Sequence, residues 1–238
     1  MDERFLRTEM LLGPEAMEKL AAAHVAVFGL GGVGSWCAEA LARSGVGRLT
    51  LVDEDSVSVS NRNRQLCALS STVGRAKAEV MAERLRDIAP EADIVPVAAR
   101  YEAASRERFF PGDYSFVADC IDLVSCKLDL IETALGADIP IVSALGTGNK
   151  LDASLLRLCY ISETYGCPLA RVMRKELRRR GIERLQVVFS PEEARETEQT
   201  ETPPPGRRSV PGSAVWVPAS AGLLMAQAIV LKIAGVET

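Results

Sequence analysis

One six-residue turn, Gly29-Leu-Gly-Gly-Val-Gly34, limits this chain more than any other feature. It follows an unbroken apolar run, His24-Val-Ala-Val-Phe28, and opens a segment with helical spacing. A short continuous apolar run is the pattern of a strand buried on both faces of a parallel sheet. Gly29, Gly31 and Gly34 permit a tight turn and let a ligand approach the backbone. The helix start that follows offers unpaired N–H groups and the positive end of a dipole to phosphate. Leu49-Thr-Leu-Val52 closes a β-α-β unit. Asp53 then ends the second strand about 20 residues after the turn, where a carboxylate accepts hydrogen bonds from ribose hydroxyls.

The same alternation continues along the chain. Spacing predicts helices over 14–22, 33–44, 75–88 and 126–135, between strands over 24–28, 49–52, 94–98, 115–118 and 140–144. Strands alternating with helices imply an α/β fold with a doubly wound, mostly parallel sheet of Rossmann type. After Gly148 the pattern changes. Strands are expected over 154–161, 185–189 and 214–217, a basic helix over 168–180 and a closing helix over 219–233. The segment 190–212 is rich in Pro, Glu, Thr and Arg, includes Pro203-Pro-Pro205, and is expected to be a mobile loop. The 238 residues suit a single domain. Its nucleotide-binding core covers about 20–148, and a substrate-facing extension with the closing helix covers about 149–238.

Composition removes several chemistries. The chain has one histidine, His24, which reads as a strand-entry residue beside an apolar run, and this argues strongly against Ser-His-Asp and Cys-His catalysis. Its six cysteines form no C-x-x-C pair, which argues against structural zinc and a disulfide framework and for a reducing, cytoplasmic setting. Cys159 and Cys167 follow the core but read as buried or neutral thiols, and no catalytic thiol is assigned. The charged N-terminus does not resemble a signal peptide. The apolar stretch 214–235 carries Pro218 and Lys232 and reads as a buried helix rather than a membrane span. A net charge of −4 gives no global nucleic-acid signal, so an RNA partner needs a local basic face.

The polar residues after Asp53 decide the kind of nucleotide. Asp53-Glu-Asp55 leads to Asn61-Arg-Asn-Arg64-Gln65, and Lys77 follows. Two cations and an amide suit a triphosphate: Arg64 and Lys77 hold β- and γ-phosphate charge, and Asn61 hydrogen-bonds phosphate oxygens. A nicotinamide enzyme has no general need of them and lacks a histidine for hydride chemistry here. A non-catalytic nucleotide sensor is disfavoured by the intact set. Asp119-Cys-Ile-Asp122 follows the strand over 115–118, at the end that faces a ligand crevice. Asp122 is a candidate magnesium ligand, direct or through water, and Asp119 is either functional or a turn cap.

These motifs, with Arg4-Phe-Leu-Arg7 ahead of them, occur in the order and spacing of the E1-like (ThiF/MoeB/HesA) superfamily, which the chain resembles over nearly its whole length. Arg4-Phe-Leu-Arg-Thr-Glu, Arg43-Ser-Gly-Val-Gly47, Cys167-Pro-Leu-Ala-Arg171 and Pro218-Ala-Ser-Ala-Gly222 are similar to its tRNA threonylcarbamoyladenosine dehydratase branch. The resemblance implies that Asp53 binds ribose and that Asn61, Arg64 and Lys77 bind the triphosphate of ATP. Gly29, Gly31, Gly32, Gly34, Asp55 and Gln65 complete the nucleotide set. Asp122 organises Mg2+ and the α-phosphate, and Arg7 reaches the nucleotide of the other subunit of a homodimer. It implies tRNA bearing N6-threonylcarbamoyladenosine as substrate, dehydrated through an acyl-adenylate, and leaves room for a sulfur-acceptor partner protein. The alternative within the superfamily is adenylation of the C-terminal glycine of a ubiquitin-like sulfur carrier, which the missing zinc cysteines disfavour. Arg171, Arg174, Lys175, Arg178, Arg179, Arg180 and Arg184 crowd one short segment. Alone they read as a solvated helix face; beside a tRNA-modifying resemblance they read as a phosphate-neutralising face.

Overall fold

The computed structural model describes residues 3–110, 112–198 and 210–236. Seven strands form one sheet in the order β3-β2-β1-β4-β5-β7-β6. They are β1 (His24–Phe28), β2 (Arg48–Val52), β3 (Asp93–Val97), β4 (Phe116–Asp119), β5 (Ile141–Ala144), β6 (Arg157–Tyr160) and β7 (Gln186–Phe189). β6 alone runs antiparallel, pairing β7 at the edge; the other pairs are parallel. The strand order reverses between β1 and β4, which is where open α/β sheets leave a crevice at the carboxyl ends of their strands.

Every residue of β1 is buried, as its uninterrupted apolar run requires. The helices are α1 (Leu6–Leu12), α2 (Pro14–Ala22), α3 (Gly34–Arg43), α4 (Lys77–Ile88), α5 (Val124–Gly136), α6 (Pro168–Arg179) and α7 (Trp216–Ala234). Leu20, Leu41, Met81, Leu85, Met225 and Ile229 build a core on one face of the sheet, from α2, α3, α4 and α7. Phe28, Phe109, Ile131, Met173, Leu177 and Phe189 build the other, with α5, α6 and a 3-10 helix at Ala103–Phe109. α7 is the one helix among the described residues long and apolar enough to cross a membrane. Here it lies in the core, and Gly222 makes the approach possible: a Cβ at that position would stand 2.3 Å from the carbonyl oxygen of Val33, the residue that leads into α3.

The extension departs from expectation in two places. Residues 214–217 are not a strand: the chain enters α7 at Trp216, three residues before the expected 219. Pro218 falls in the first turn of α7, where its missing N–H has no helical partner to lose. Of the expected strand 154–161 only Arg157–Tyr160 pairs, between 3-10 turns at Ala153–Leu155 and Ile161–Glu163. The expected loop 190–212, including Pro203-Pro-Pro205, lies partly outside the described residues.

Candidate active site

The glycine turn is tight because its backbone is crowded on every side. Gly29 has φ +87°, and a Cβ there would come within 2.6 Å of the Cys120 carbonyl oxygen. A Cβ on Gly34 would stand 1.8 Å from the Gly29 oxygen, so any side chain would break the turn into α3. Gly32 is tight against the side chains above it, while Gly31 has room for a Cβ. Added Cβ atoms would meet Gln65 Nε2 at 3.8 Å and Arg64 Cγ and Pro218 Cβ at 3.5 and 3.2 Å.

Three further loops converge on this turn. After β2, the Asp53 carboxylate accepts from the backbone N–H of Leu30 (2.6 Å) and of Asp55 (2.8 Å). Burial pushes its pKa above the ordinary carboxylate value, while the Lys77 charge and those two N–H groups pull it down. Lys77, at the start of α4, is almost fully buried and donates to the exposed Asp55 carboxylate at 2.8 Å. Next comes the segment 59–65. The Arg64 guanidinium donates to the Ser60 carbonyl (2.9 Å) and to Asn63 Oδ1 (3.0 Å), and Trp36 Nε1 donates to the Arg64 carbonyl at 3.2 Å. Asn61 caps the 3-10 turn Val59–Asn61, its Oδ1 accepting from the Ser58 N–H.

After β4, the loop 120–123 passes against Gly29 and Gly34 and carries the exposed Asp122. Asp119, one of the two carboxylates read from the motif, is turned inward and fully buried. It accepts from Lys127 Nζ at 2.7 Å and Ser143 Oγ at 2.6 Å, and the Ile121 N–H reaches it at 3.2 Å. Lys127 is fully buried too, so this is an internal ion pair and not a ligand group. The Cys120 thiol contacts Met225 Sδ at 3.7 Å, and burial holds its pKa well above the ordinary thiol value, unfit for a thiolate nucleophile.

The arrangement is a phosphate-binding turn with a ribose carboxylate, two cations and a second carboxylate around it. A family model for the ThiF family matches residues 5–238. The chain belongs to the ThiF family.

Within the family, this chain is 40% identical to the tRNA threonylcarbamoyladenosine dehydratase of Bacillus subtilis over 242 residues, 98% of this chain and 95% of that one. The crystal structure of the Escherichia coli tRNA N6-threonylcarbamoyladenosine dehydratase, TcdA, in complex with AMP is similar with a TM-score of 0.89. Identity is 36%, covering 98% of this chain and 94% of that chain. The same enzyme in complex with ATP gives a TM-score of 0.88, also at 36% identity, with coverage of 98% and 94%.

In this ThiF-family chain the glycines, Asp53, Asp55, Arg64, Gln65 and Lys77 stand together, with Asn61 and Asp122 on the loops that flank them. Arg7 does not join them. It lies on α1, on a groove of about 400 Å³ with Leu11, Ala40, Ser44 and Leu223, at the end of α3 remote from the turn. The basic helix is also divided. Arg178 pairs with Glu183 (3.8 Å), Arg179 with Glu176 (2.8 Å), and Arg180 with Glu132 and Glu176 (both 3.1 Å). Arg174 donates to the Thr164 carbonyl and hydroxyl. Arg171 and Lys175 are exposed, and no carboxylate among the described residues pairs with them. Sequence reasoning missed Lys127, Trp36 and Asn63, whose Nδ2 donates to the Ser213 carbonyl at 2.9 Å. Only Asn63 carried a signal, its place inside the Asn61–Gln65 run.

Proposed function

We propose that this chain is an ATP-dependent dehydratase of N6-threonylcarbamoyladenosine in tRNA, working through an acyl-adenylate. Adenylation alone would suit any member of the superfamily. The observation that carries the narrower reading is likeness to a dehydratase over 98% of the chain, through the extension as well as the nucleotide core.

The threonyl carboxylate oxygen attacks the α-phosphorus of ATP, the bond to the β-phosphate oxygen breaks, and pyrophosphate leaves. A nitrogen of the modification then attacks the activated carbonyl, closes a ring, loses its proton to solvent and expels AMP. The net change in the nucleoside is loss of one water, made easier because AMP is a far better leaving group than hydroxide. No protein nucleophile is required, in keeping with a chain that has one histidine.

Asp53 orients the ribose. Gly29, Gly31, Gly32 and Gly34 bring backbone close to the phosphates, with Gln65 and Asp55 beside them. Arg64, Lys77 and Asn61 hold the departing pyrophosphate, where fixed cations stabilise charge that develops in the transition state. Lys77 is held by Asp55 until a triphosphate competes for it. Asp122, exposed on the loop beside the turn, offers the hard carboxylate oxygen that would hold magnesium there. Magnesium so held would neutralise phosphate charge.

The enzyme is proposed to be a cytoplasmic homodimer in which Arg7 serves the site of a second copy. Its distance from its own glycine turn supports this, as does the exposure of Met10 (85%) and Leu11 (86%) on α1. The six free cysteines support a reducing compartment. A sulfur-acceptor protein is a further proposed partner, to be sought by co-purification.

The test supplies ATP, magnesium and tRNA carrying the modification. AMP and pyrophosphate should appear together, and the nucleoside should lose one water. AMP formed only when a ubiquitin-like protein is supplied, with the nucleoside mass unchanged, would overturn the dehydratase in favour of sulfur-carrier activation.

A further inference from the structure

The part of the extension best placed to meet RNA is a pair of residues outside the basic helix. Arg157 opens the edge strand β6, opposite Phe189 in register. Phe189 ends β7, so Arg157 lies at the same end of the sheet as the glycine turn and the Asp122 loop. Its guanidinium carbon stands 5.7 Å from the centroid of the Tyr165 ring. Tyr165 is 51% exposed and leans edge-on against Phe189, with centroids 5.9 Å apart. The ring is held on a stiff turn. Gly166, at φ +70°, passes so close to Pro191 that a Cβ would stand 2.6 Å from its carbonyl oxygen. The Cys167 N–H closes back on the Tyr165 carbonyl at 2.8 Å.

Charge separates this corner from the rest of the basic segment. At the far end of α6, Arg178, Arg179 and Arg180 are all answered by glutamates. No carboxylate among the described residues pairs with Arg157, or with Arg171 in the first turns of α6. A half-exposed aromatic ring under an unneutralised guanidinium offers two flat surfaces to a base and a positive charge to its phosphate. From β4, whose following loop carries Asp122, to β6 is three strand steps, about 14 Å at ~4.8 Å per step. A short run of single-stranded nucleotides covers that span.

We propose that Arg157 and Tyr165, with Arg171, form the stacking and phosphate-binding platform for the single-stranded nucleotides that flank the modified adenosine. The platform rests on the dehydratase reading above. An acidic protein partner would also meet the cations, but it would have no use for the open tyrosine face.

The test is steady-state dehydration of the modified tRNA by the full chain, with circular dichroism melting as a check on folding. Tyr165→Ala should raise the KM for tRNA about 10-fold, the scale of one lost base stack, with the effect on KM rather than kcat. Tyr165→Phe should restore it, because stacking needs the ring and not the hydroxyl. Arg157→Ala, an exposed change, should raise the KM and flatten its salt dependence. The double variant Arg178→Ala/Arg179→Ala should leave it near the wild-type value. The platform is wrong if wild-type enzyme dehydrates tRNA and Tyr165→Ala and Arg157→Ala match its KM. It is equally wrong if the Arg178/Arg179 variant alone raises the KM. A wild-type enzyme that never changes the nucleoside mass overturns the dehydratase reading itself, and this inference with it.

Discussion

Asp53 and Asp119 end neighbouring parts of the same sheet, and both lie at the mouth of the nucleotide crevice. Asp119 has a lysine of its own, fully buried with it, and a serine hydroxyl on the same oxygen. Its hydrogen-bonding capacity is spent inside the protein. Asp53 is held only by two backbone N–H groups, and the nearby lysine gives its hydrogen bond to Asp55 instead. A buried carboxylate with a dedicated cation ties strands together; one positioned by backbone alone keeps capacity for a ligand. The same contrast recurs in the arginines, where those tied to glutamates are structural and those left open are available.

The largest effect should come from breaking the internal pair. Lys127→Met leaves a buried carboxylate uncompensated and should cost about 3–5 kcal/mol of stability. Urea denaturation measures it, and adding Asp119→Asn should recover part of the loss. An unchanged midpoint would mean that Asp119 is not structural.

On the ligand side of the comparison the losses should fall on turnover. Arg64→Ala or Asp122→Ala should lower kcat for AMP release about 10²–10³-fold. The urea midpoint should barely move, because the Arg64 guanidinium bonds only exposed groups of its own loop. Equal loss of stability and activity would erase the distinction.

Asp53→Asn sharpens it further. The half-saturation for ATP should rise about 10-fold, the order of one hydrogen bond to a charged group, with kcat much less affected. Asp119→Asn should instead lower the melting temperature with no selective effect on ATP.

The smallest effect is a pH dependence at the opposite end of the sheet. His24 Nδ1 lies 3.0 Å from Asp113, which favours the charged ring, yet burial outweighs that pair and lowers its pKa. The unfolded chain therefore binds the proton more readily. Stability should be fully present above about pH 6.5, the unperturbed histidine value, and fall as pH drops below it. Because His24 is the chain's one histidine, His24→Gln should flatten the difference in urea midpoint between about pH 7.5 and about pH 5.5. A wild-type midpoint that rises on acidification would reverse the assignment.

The local signals that survived into the fold share a physical basis. β1 reads from its residues because only a strand covered on both faces can be apolar at every position. The turn reads because Gly29 and Gly34 stand where any Cβ would strike backbone, with Gly32 tight against Pro218. Asp53, Arg64 and Lys77 read from type and spacing after that turn. Tertiary contact decided the rest. Nothing in the run Asp119-Cys-Ile-Asp122 says which carboxylate turns inward; Lys127 and Ser143, from α5 and β5, decide that. Residues 214–217 have strand-like composition but lead directly into α7, whose packing against α3 and the sheet claims Trp216 and Val217 as its first turn. Arg178 to Arg180 are as basic as Arg157 and Arg171; Glu176 and Glu183 beside them in the chain answer most of that charge, and the fold adds only Glu132 of α5 opposite Arg180. Periodicity and steric crowding are properties of a few successive residues and are written in order along the chain. Burial, and long-range pairs such as Lys127 and Ser143 on Asp119 or Glu132 on Arg180, depend on groups from separate elements and exist only once the sheet has closed.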